Sequence, residues 1–136
     1  MEYTILDYIP QRPPFVMVDE ILTCTEDYCK TQFQIRTDNP LIDSGILLES
    51  GVIENIAQSC AAFIGYVNIH IKHQAVRIGV IGAIKDFQID YRPTEGETLV
   101  TEIKGIGDFG DMKILNATTH CNGQVIATGE IKVALI

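Results

Sequence analysis

Apolar residues recur at helical spacing in one long segment of the chain. From Val52 to about Asn68 they fall every three or four positions, which is typical of an α-helix with a wide buried face. Ser50 lies where its side chain can cap the start of this helix. The polar residues in its first half are uncharged, namely Asn55, Gln58 and Ser59. We therefore predict a helix that other parts of the protein cover on most sides.

Alternating or continuous apolar runs predict β-strands in most of the remaining chain. Two strands are predicted before the helix, over residues 15–23 and 30–36. Four more are predicted after it, over residues 76–91, 98–106, 112–120 and 124–135. Glycine and proline turn signals separate them, and the Asn122-Gly123 pair is typical of a tight hairpin.

This order of elements predicts the architecture. We expect a single α+β domain over residues 1–136, with one antiparallel sheet of about five to six strands wrapped around a long central helix. One helix covers only one face of such a sheet. We therefore expect a second copy to cover exposed apolar surface, and hence a dimer.

Composition and charge narrow the function classes. The chain of 136 residues has a formal net charge of −8, which argues against general nucleic-acid binding because phosphate neutralisation requires clustered Lys and Arg. It has neither a signal-peptide pattern at its start nor an apolar run long enough to span a membrane, so we expect a cytoplasmic protein without a membrane partner. Its four cysteines do not have metal-site spacing, and we expect no metal.

Four segments carry, in order, the motifs of one known family. Residues 9–21 read Ile-Pro-Gln-Arg-Pro-Pro-Phe-Val-Met-Val-Asp-Glu-Ile, residues 51–58 read Gly-Val-Ile-Glu-Asn-Ile-Ala-Gln, residues 93–97 read Pro-Thr-Glu-Gly-Glu, and residues 128–134 read Thr-Gly-Glu-Ile-Lys-Val-Ala. They resemble the opening motif, the central helix start, a turn and the last strand of the 3-hydroxyacyl-[acyl-carrier-protein] dehydratases, which have the hotdog fold. The chain also resembles the divergent dehydratase-like proteins of aryl-polyene and related pigment pathways.

The resemblance implies a hotdog homodimer with sites at the subunit interface. Members of the family are lyases that dehydrate a 3-hydroxyacyl chain, held as a phosphopantetheine thioester on acyl carrier protein, without metal or organic cofactor. A histidine removes the C2 proton, and a carboxylic acid on the central helix assists departure of the hydroxyl group. Glu54 matches this catalytic acid. A purely structural role, as a negative charge near the positive end of the helix, is the alternative.

The resemblance also assigns four substrate-binding positions. Gly51 matches the glycine before the helix, where a backbone N–H polarises the thioester carbonyl, and Gln58 matches the glutamine that ends the helix motif. Gly79 and Gly82 precede the strand portion that lines the acyl tunnel in the family. Each has a structural alternative: helix entry for Gly51, hydrogen bonding within the fold for Gln58, and strand bulges for Gly79 and Gly82.

The expected catalytic histidines are missing. Gln11 replaces the histidine of the opening motif, and residues 37–48 form a segment shorter than in the family and without histidine. His70 and His73 follow Glu54 by 16 and 19 residues, which is ~24–29 Å along a helix and too far for a catalytic contact in the same subunit. A partner subunit or Asp43 remains open as the source of the base.

The few basic residues are candidates for docking an acidic partner. Residues 70–77 form the only dense basic stretch, and Lys72, Arg77 and the separate Arg12 are the positions that we expect to attract a carrier protein or its phosphate. A solvated helix end favoured by cations is the alternative for residues 70–77.

Three functions follow from this reading. The first is a dehydratase-like enzyme that acts on acyl-carrier-protein thioesters in fatty-acid or polyene-type biosynthesis. The second is an accessory subunit that binds acyl thioesters without full catalytic capacity, paired with an active homologue. The third is a hotdog thioesterase in which Glu54 activates water.

Overall fold

The computed structural model describes residues 2–136, and one long helix lies at the centre of the fold. Helix α1 spans Glu49–Tyr66 and continues into a π-helical turn, Val67–Ile71. It begins three residues earlier than predicted. Leu48, in extended conformation, occupies the N-cap position, so the prediction that Ser50 caps the helix is wrong. The helix begins almost immediately after the short strand that ends at Leu47, so its first turn lies earlier in the sequence than predicted.

Six strands form one antiparallel sheet, which confirms the predicted architecture. A short 3₁₀-helix, Ile5–Asp7, precedes them. The strands of this sheet are β1 (Glu20–Cys24), β2 (Tyr28–Gln34), β5 (Gly79–Ile89), β6 (Thr98–Asp108), β7 (Met112–Cys121) and β8 (Gln124–Leu135), in the order β1-β2-β6-β7-β8-β5. Two short strands that the pattern did not predict, β3 (Ile42–Asp43) and β4 (Ile46–Leu47), form a separate hairpin immediately before α1.

The sheet wraps around α1 and buries an aliphatic core between them. The inward-facing strand residues are almost fully buried, for example Phe33, Leu99, Ile103, Leu115 and Ile131. They pack against the helix residues Val52, Ile56, Cys60, Phe63 and Ile64. The alternation of buried and exposed residues along β2, β6 and β7 follows the two-residue period of a strand with one covered face.

The segment before β1 differs from the predicted strand. The apolar run at residues 15–18 forms no strand, and β1 begins only at Glu20. Met17 and Val18 are fully buried, but the backbone N–H and carbonyl of Met17 bond to the side chains of Gln58 and Asn55. Side chains of α1 therefore satisfy this backbone where a neighbouring strand would otherwise do so.

Strands β1 and β5 are the two edges of the sheet. Along and just before β5 the chain exposes several large apolar side chains, namely Val76, Ile78, Val80 and Ile84. The pairing of β5 with β8 shifts register between Ile81 and Ala83, which places Gly82 in a bulge. Among residues 2–136, no helix is long and apolar enough to cross a membrane.

Candidate active site at the start of the central helix

Glu54 lies in the second turn of α1 and is half-buried. Its carboxylate accepts a hydrogen bond from the side-chain amide of Gln58, one helical turn further on, with an Nε2–Oε1 distance of 2.8 Å. Residues four positions apart face each other on a helix, so the sequence spacing itself brings the two groups together. The carboxyl group of Glu54 therefore has a defined orientation.

Gln58 is fully buried and holds the opening segment against the helix. Its Nε2 also donates to the carbonyl of Phe15 at 2.8 Å, and its Oε1 accepts from the N–H of Met17 at 2.6 Å. The three bonds use both donors and the acceptor of the amide. Gln58 thus fixes Glu54 and residues 15–17 relative to one another, which is the structural role weighed for it above.

A chain of buried hydroxyl and amide groups continues beneath Glu54 into the sheet. Asn55 donates to the carbonyl of Met17 and accepts from the hydroxyl of Thr101, both at 2.7 Å. Thr101 lies 2.9 Å from the hydroxyl of Thr119. On the next turn, Ser59 donates to the carbonyl of Asn55 at 2.7 Å, so the hydroxyl of Thr31, 2.8 Å away, donates to Ser59.

This network was not identified from the sequence. Two signals pointed towards it: uncharged polar side chains on a helix that was expected to be covered, and threonines at inward-facing positions of the strands that hold Thr31, Thr101 and Thr119. A fully satisfied polar network adds rigidity to the core, because breaking any one bond leaves a buried group unpaired. The helix turn that holds Glu54 therefore sits on a rigid base.

Gly51 lies where the hairpin of β3 and β4 packs against the first turn of α1. A Cβ atom at this position would lie 2.5 Å from Cδ1 and 2.7 Å from Cγ of the buried Leu47. Close packing therefore accounts for the glycine. Its N–H already donates to the carbonyl of Leu48 at 2.8 Å, so a role as donor to a thioester carbonyl stays a prediction.

Gly79 and Gly82 lie on the edge strand β5. A Cβ at Gly79 would lie 2.8 Å from Cγ1 of Val133, so the absence of a side chain allows close packing there. Gly82 occupies the bulge of β5. Neither is among the hydrogen-bond or packing partners of Glu54, and their assignment to an acyl tunnel stays a prediction.

None of the three histidines of the chain contacts Glu54. His70 lies beyond the C-terminal end of α1, and its Nε2 is 2.6 Å from the hydroxyl of Tyr8. His120 lies on β7, with its Nε2 2.7 Å from a carboxylate oxygen of Glu102. His73 lies in the loop after the π-helical turn. The described subunit therefore presents an oriented carboxyl group without a histidine beside it.

The three basic residues expected to dock a partner differ in whether a carboxylate of the same subunit already neutralises their charge. The exposed Arg12 donates to the carbonyls of Ile9 and Gln11, both at 2.8 Å. Arg77 pairs with Asp111 at 2.8 Å. Lys72 is exposed just after the π-helical turn. Docking at these positions stays a prediction, and the partial neutralisation of Arg77 makes Arg12 and Lys72 the stronger candidates.

Comparisons with known proteins identify the family of the chain. Residues 3–135 match the family model described as ApeP-like, ApeP dehydratase. The 3-hydroxyacyl-[acyl-carrier-protein] dehydratase FabZ of Psychrobacter arcticus is 20% identical over 137 aligned residues, which cover 97% of this chain and 94% of that protein.

Solved structures share the fold. The dehydratase heterocomplex ApeI:P from Xenorhabdus doucetiae superimposes with a TM-score of 0.91 at 17% identity, covering 100% of this chain and 93% of the matched chain. A hypothetical thioesterase with coenzyme A from Streptococcus pneumoniae gives a TM-score of 0.70 at 8% identity, covering 86% of this chain and 84% of the other. These likenesses confirm the predicted hotdog fold. Since the family model spans nearly the whole sequence, the chain belongs to the ApeP-like dehydratase family.

Proposed function

We propose that this chain is the carboxylate-bearing subunit of a two-chain 3-hydroxyacyl-thioester dehydratase, in which a different hotdog chain supplies the histidine base. The observation that carries the proposal is the oriented Glu54 carboxyl group, held by Gln58 at 2.8 Å, with no histidine of the same subunit beside it. Glu54 is the acid in this proposal, and Gln58 is a positioning residue.

The reaction requires two groups, a base at C2 and an acid at the C3 hydroxyl group of the substrate. A base takes the C2 proton of the 3-hydroxyacyl thioester, while the carboxyl group of Glu54 donates a proton to the C3 hydroxyl group. The C2–H and C3–O bonds break, the C2=C3 double bond forms, and water leaves. Donors at the helix start that face the thioester carbonyl would stabilise the enolate-like charge in between. The reaction consumes no oxidant, reductant or metal.

A histidine from a different chain fits the described residues better than one from a second copy. His70 has a hydrogen-bonding partner, Tyr8, within its own subunit, and Nε2 of His120 lies 2.7 Å from a carboxylate oxygen of Glu102. His73 lies beyond the far end of α1. The structural match to the ApeI:P heterocomplex supports an assembly of unlike subunits. Homodimerisation, which the family resemblance predicts, is the alternative outcome of the test.

Two surfaces support association with a second hotdog chain. The edge strand β5 exposes Val80 and Ile84, and Val76 and Ile78 are exposed just before it. On α1, the half-buried Glu54, Ala57 and Ala61 fall on one helical stripe, while the positions between them are buried. A second helix packing on this small-residue stripe would lie beside Glu54. The site would then be completed at the subunit interface.

The name of a relative supports acyl carrier protein as the substrate carrier. FabZ of Psychrobacter arcticus is named for acyl-carrier-protein substrates, and we extend this substrate class to the present chain. Arg12 and Lys72 are the proposed contacts for the acidic carrier or its phosphopantetheine phosphate. The fatty-acid or polyene-type pathway is part of the same proposal.

A reconstitution assay tests the division of roles. Purified chain, a histidine-bearing hotdog dehydratase subunit from the same organism, and their mixture are each supplied with an enoyl thioester, and hydration is followed as the reverse of dehydration. We expect turnover by the mixture to exceed the sum of the separate rates. Turnover by the present chain alone, at the rate of the mixture, would contradict the proposal and favour a homodimer that finds its base within two identical chains.

Thioesterase activity is the second candidate, and the structural match to a hypothetical thioesterase with coenzyme A is its specific support. In that case Glu54 would activate water, and the thioester carbonyl carbon rather than C2 would react. Release of free thiol in the same reaction tubes distinguishes the two functions. Thiol release without hydration would favour the thioesterase.

A further inference from the structure

A cavity of about 310 Å³ opens at the far end of α1, between the helix and the sheet. Phe63, Ile64 and Val67 from the helix form its apolar wall together with Leu115 of β7. One water molecule, which has a single non-hydrogen atom, occupies about 30 Å³ in the liquid, so the cavity accommodates roughly ten non-hydrogen atoms. It thus falls at the small end of the range for ligand pockets.

The cavity is separate from the candidate active site. Phe63 follows Glu54 by nine residues, which is about 14 Å along the helix and about two and a half turns. It therefore faces the opposite side of the helix axis, towards the sheet. Glu54, Gln58 and the stripe that we assign to a second chain do not line the cavity.

Two irregularities of the backbone create this space. The helix loosens into the π-helical turn Val67–Ile71, and β6 has a bulge at Ile106, between Gly105 and Gly107. Both kinds of irregularity occur preferentially at functional sites. A Cβ at Gly105 would find only the carbonyl of Asp27 within 4 Å, at 3.8 Å, so a side chain there would enter open space.

Asn68 belongs to the lining and carries an unused hydrogen-bond donor. The residue is 94% buried, and its Nδ2 has no hydrogen-bond partner among residues 2–136. A buried amide without a partner is costly, so this group is selective for an acceptor atom placed against it. A carbonyl oxygen within the cavity would supply that acceptor.

The charges around the cavity favour an uncharged ligand. Asp108 pairs with Lys113 at 3.0 Å, and that lysine lowers the pKa of the Asp108 carboxyl group. Of the remaining charged residues in the lining, Glu26 and Asp27 are acidic and Lys72 alone is basic. The local balance is negative and the chain carries −8, so a free carboxylate would be repelled.

We propose that this cavity binds a small neutral amphiphile, with an apolar chain against Phe63 and Val67 and one carbonyl oxygen accepting from Nδ2 of Asn68. An ester, amide or ketone with roughly ten non-hydrogen atoms is the class that fits the volume. The site does not depend on the acid role proposed for Glu54, because Glu54 is outside the lining. It shares only Lys72 with the proposed carrier contacts.

The test uses methyl heptanoate as the probe and heptanoate, its free carboxylate, as the matched control. Each is titrated into the isotope-labelled full chain, and amide signals are followed by NMR. We expect saturable shifts centred on Val67, Gly105 and Gly107 with the ester, and affinity weaker by about tenfold or more with the carboxylate. Equal affinity for the two probes, or ester-induced shifts centred on the start of α1, would overturn the proposal.

Three variants distinguish the cavity from other apolar surface. Gly105→Leu fills the space and is expected to abolish ester binding, while Asn68→Asp replaces the donor and is expected to weaken binding by about tenfold. Glu54→Gln is expected to bind the ester unchanged. Each variant's own NMR spectrum reports whether it has folded. Ester binding that survives in both folded cavity variants contradicts the assignment, as does the absence of any saturable shift in the unmodified chain.

Discussion

Glu97 collects several hydrogen-bond donors at the end of the sheet. Its carboxylate accepts from the N–H and hydroxyl of Thr94 at 2.8 and 2.9 Å, from the hydroxyl of Tyr91 at 2.7 Å, and from the amide of Asn122 at 2.6 Å. The backbone donor of Thr94, followed by Tyr91, lowers the pKa of Glu97 from 4.5 to about 2. This charged side chain ties the turn at residues 93–97 to the hairpin between β7 and β8.

The depressed pKa of Glu97 makes stability depend on pH with a defined sign. The folded state favours the carboxylate, so the stabilisation is fully present above pH 4.5 and is lost as the pH falls towards about 2. We expect Glu97→Gln to lower the free energy of unfolding at pH 7 by about 1–2 kcal/mol. We also expect it to weaken the pH dependence of the unfolding free energy between pH 4.5 and about 2, the acid limb of the stability curve. Urea unfolding at a series of pH values measures both effects. An unchanged acid limb would contradict the assignment.

Gln58 supports a second residue-scale prediction. Gln58→Met retains the size of the side chain but leaves the N–H of Met17 and the carbonyl of Phe15 without their partner, so we expect a loss of about 2–4 kcal/mol in unfolding free energy. Gln88→Met, at an exposed position of β5, is the matched control and should change little. Equal effects of the two substitutions would show that the amide of Gln58 does not hold the opening segment.

At the scale of the elements, a close backbone contact fixes α1 against the N-terminal turn. A Cβ at Gly65 would lie 2.6 Å from the carbonyl oxygen of Tyr8, a backbone atom that has little freedom to move. Tyr8 and Ile9 form a small buried cluster with Ala62 of α1. The short opening helix therefore docks on the central one through contact with bare backbone.

We expect Gly65→Ala to destabilise the protein by about 1–3 kcal/mol through this overlap. Gly105→Ala is the control, because the nearest atom to its new Cβ is 3.8 Å away and the contact is an ordinary one. Thermal unfolding of both variants provides the comparison. A similar or higher melting temperature for Gly65→Ala than for the control would show that the helices do not approach as closely as described.

The helices and strands also show which parts of the fold the local sequence pattern predicts. The boundaries of β8 were predicted correctly as residues 124–135, because the Asn122-Gly123 turn marks its start and the alternation over residues 130–135 specifies a strand between two strand neighbours. Residues 15–18 carry the same apolar signal but bond to Asn55 and Gln58, about forty residues later in the chain. Local pattern does not contain such long-range pairing. Glu54 was identified through motif resemblance, whereas the buried threonines beneath it required the three-dimensional register of the strands.

At the scale of the whole molecule, the edge strand β5 is the proposed contact with a second chain. Val80 is 48% exposed near the start of this edge strand. Val125, at the opposite end of its neighbour β8, is 47% exposed and lies outside the proposed contact. The two valines therefore form a matched pair for testing where association takes place.

We expect Val80→Glu to abolish association and Val125→Glu to leave it intact, since a charge is costly only where it becomes buried between chains. Light scattering after size-exclusion chromatography, with and without the histidine-bearing subunit, measures the mass of each species. The Val80→Glu variant should remain at the 15.1 kDa of one chain. A dimer mass for Val80→Glu would place the interface elsewhere.

The most direct measurement of the central claim is the hydration rate of an enoyl thioester by the two-chain complex containing either Glu54→Gln or Glu49→Gln. Glu49 is exposed in the first turn of the same helix and controls for the loss of one negative charge. The proposed acid role predicts a loss of about a hundredfold or more with Glu54→Gln, at unchanged complex mass, and little change with Glu49→Gln. An unchanged rate with Glu54→Gln would contradict the assignment of Glu54 as the acid.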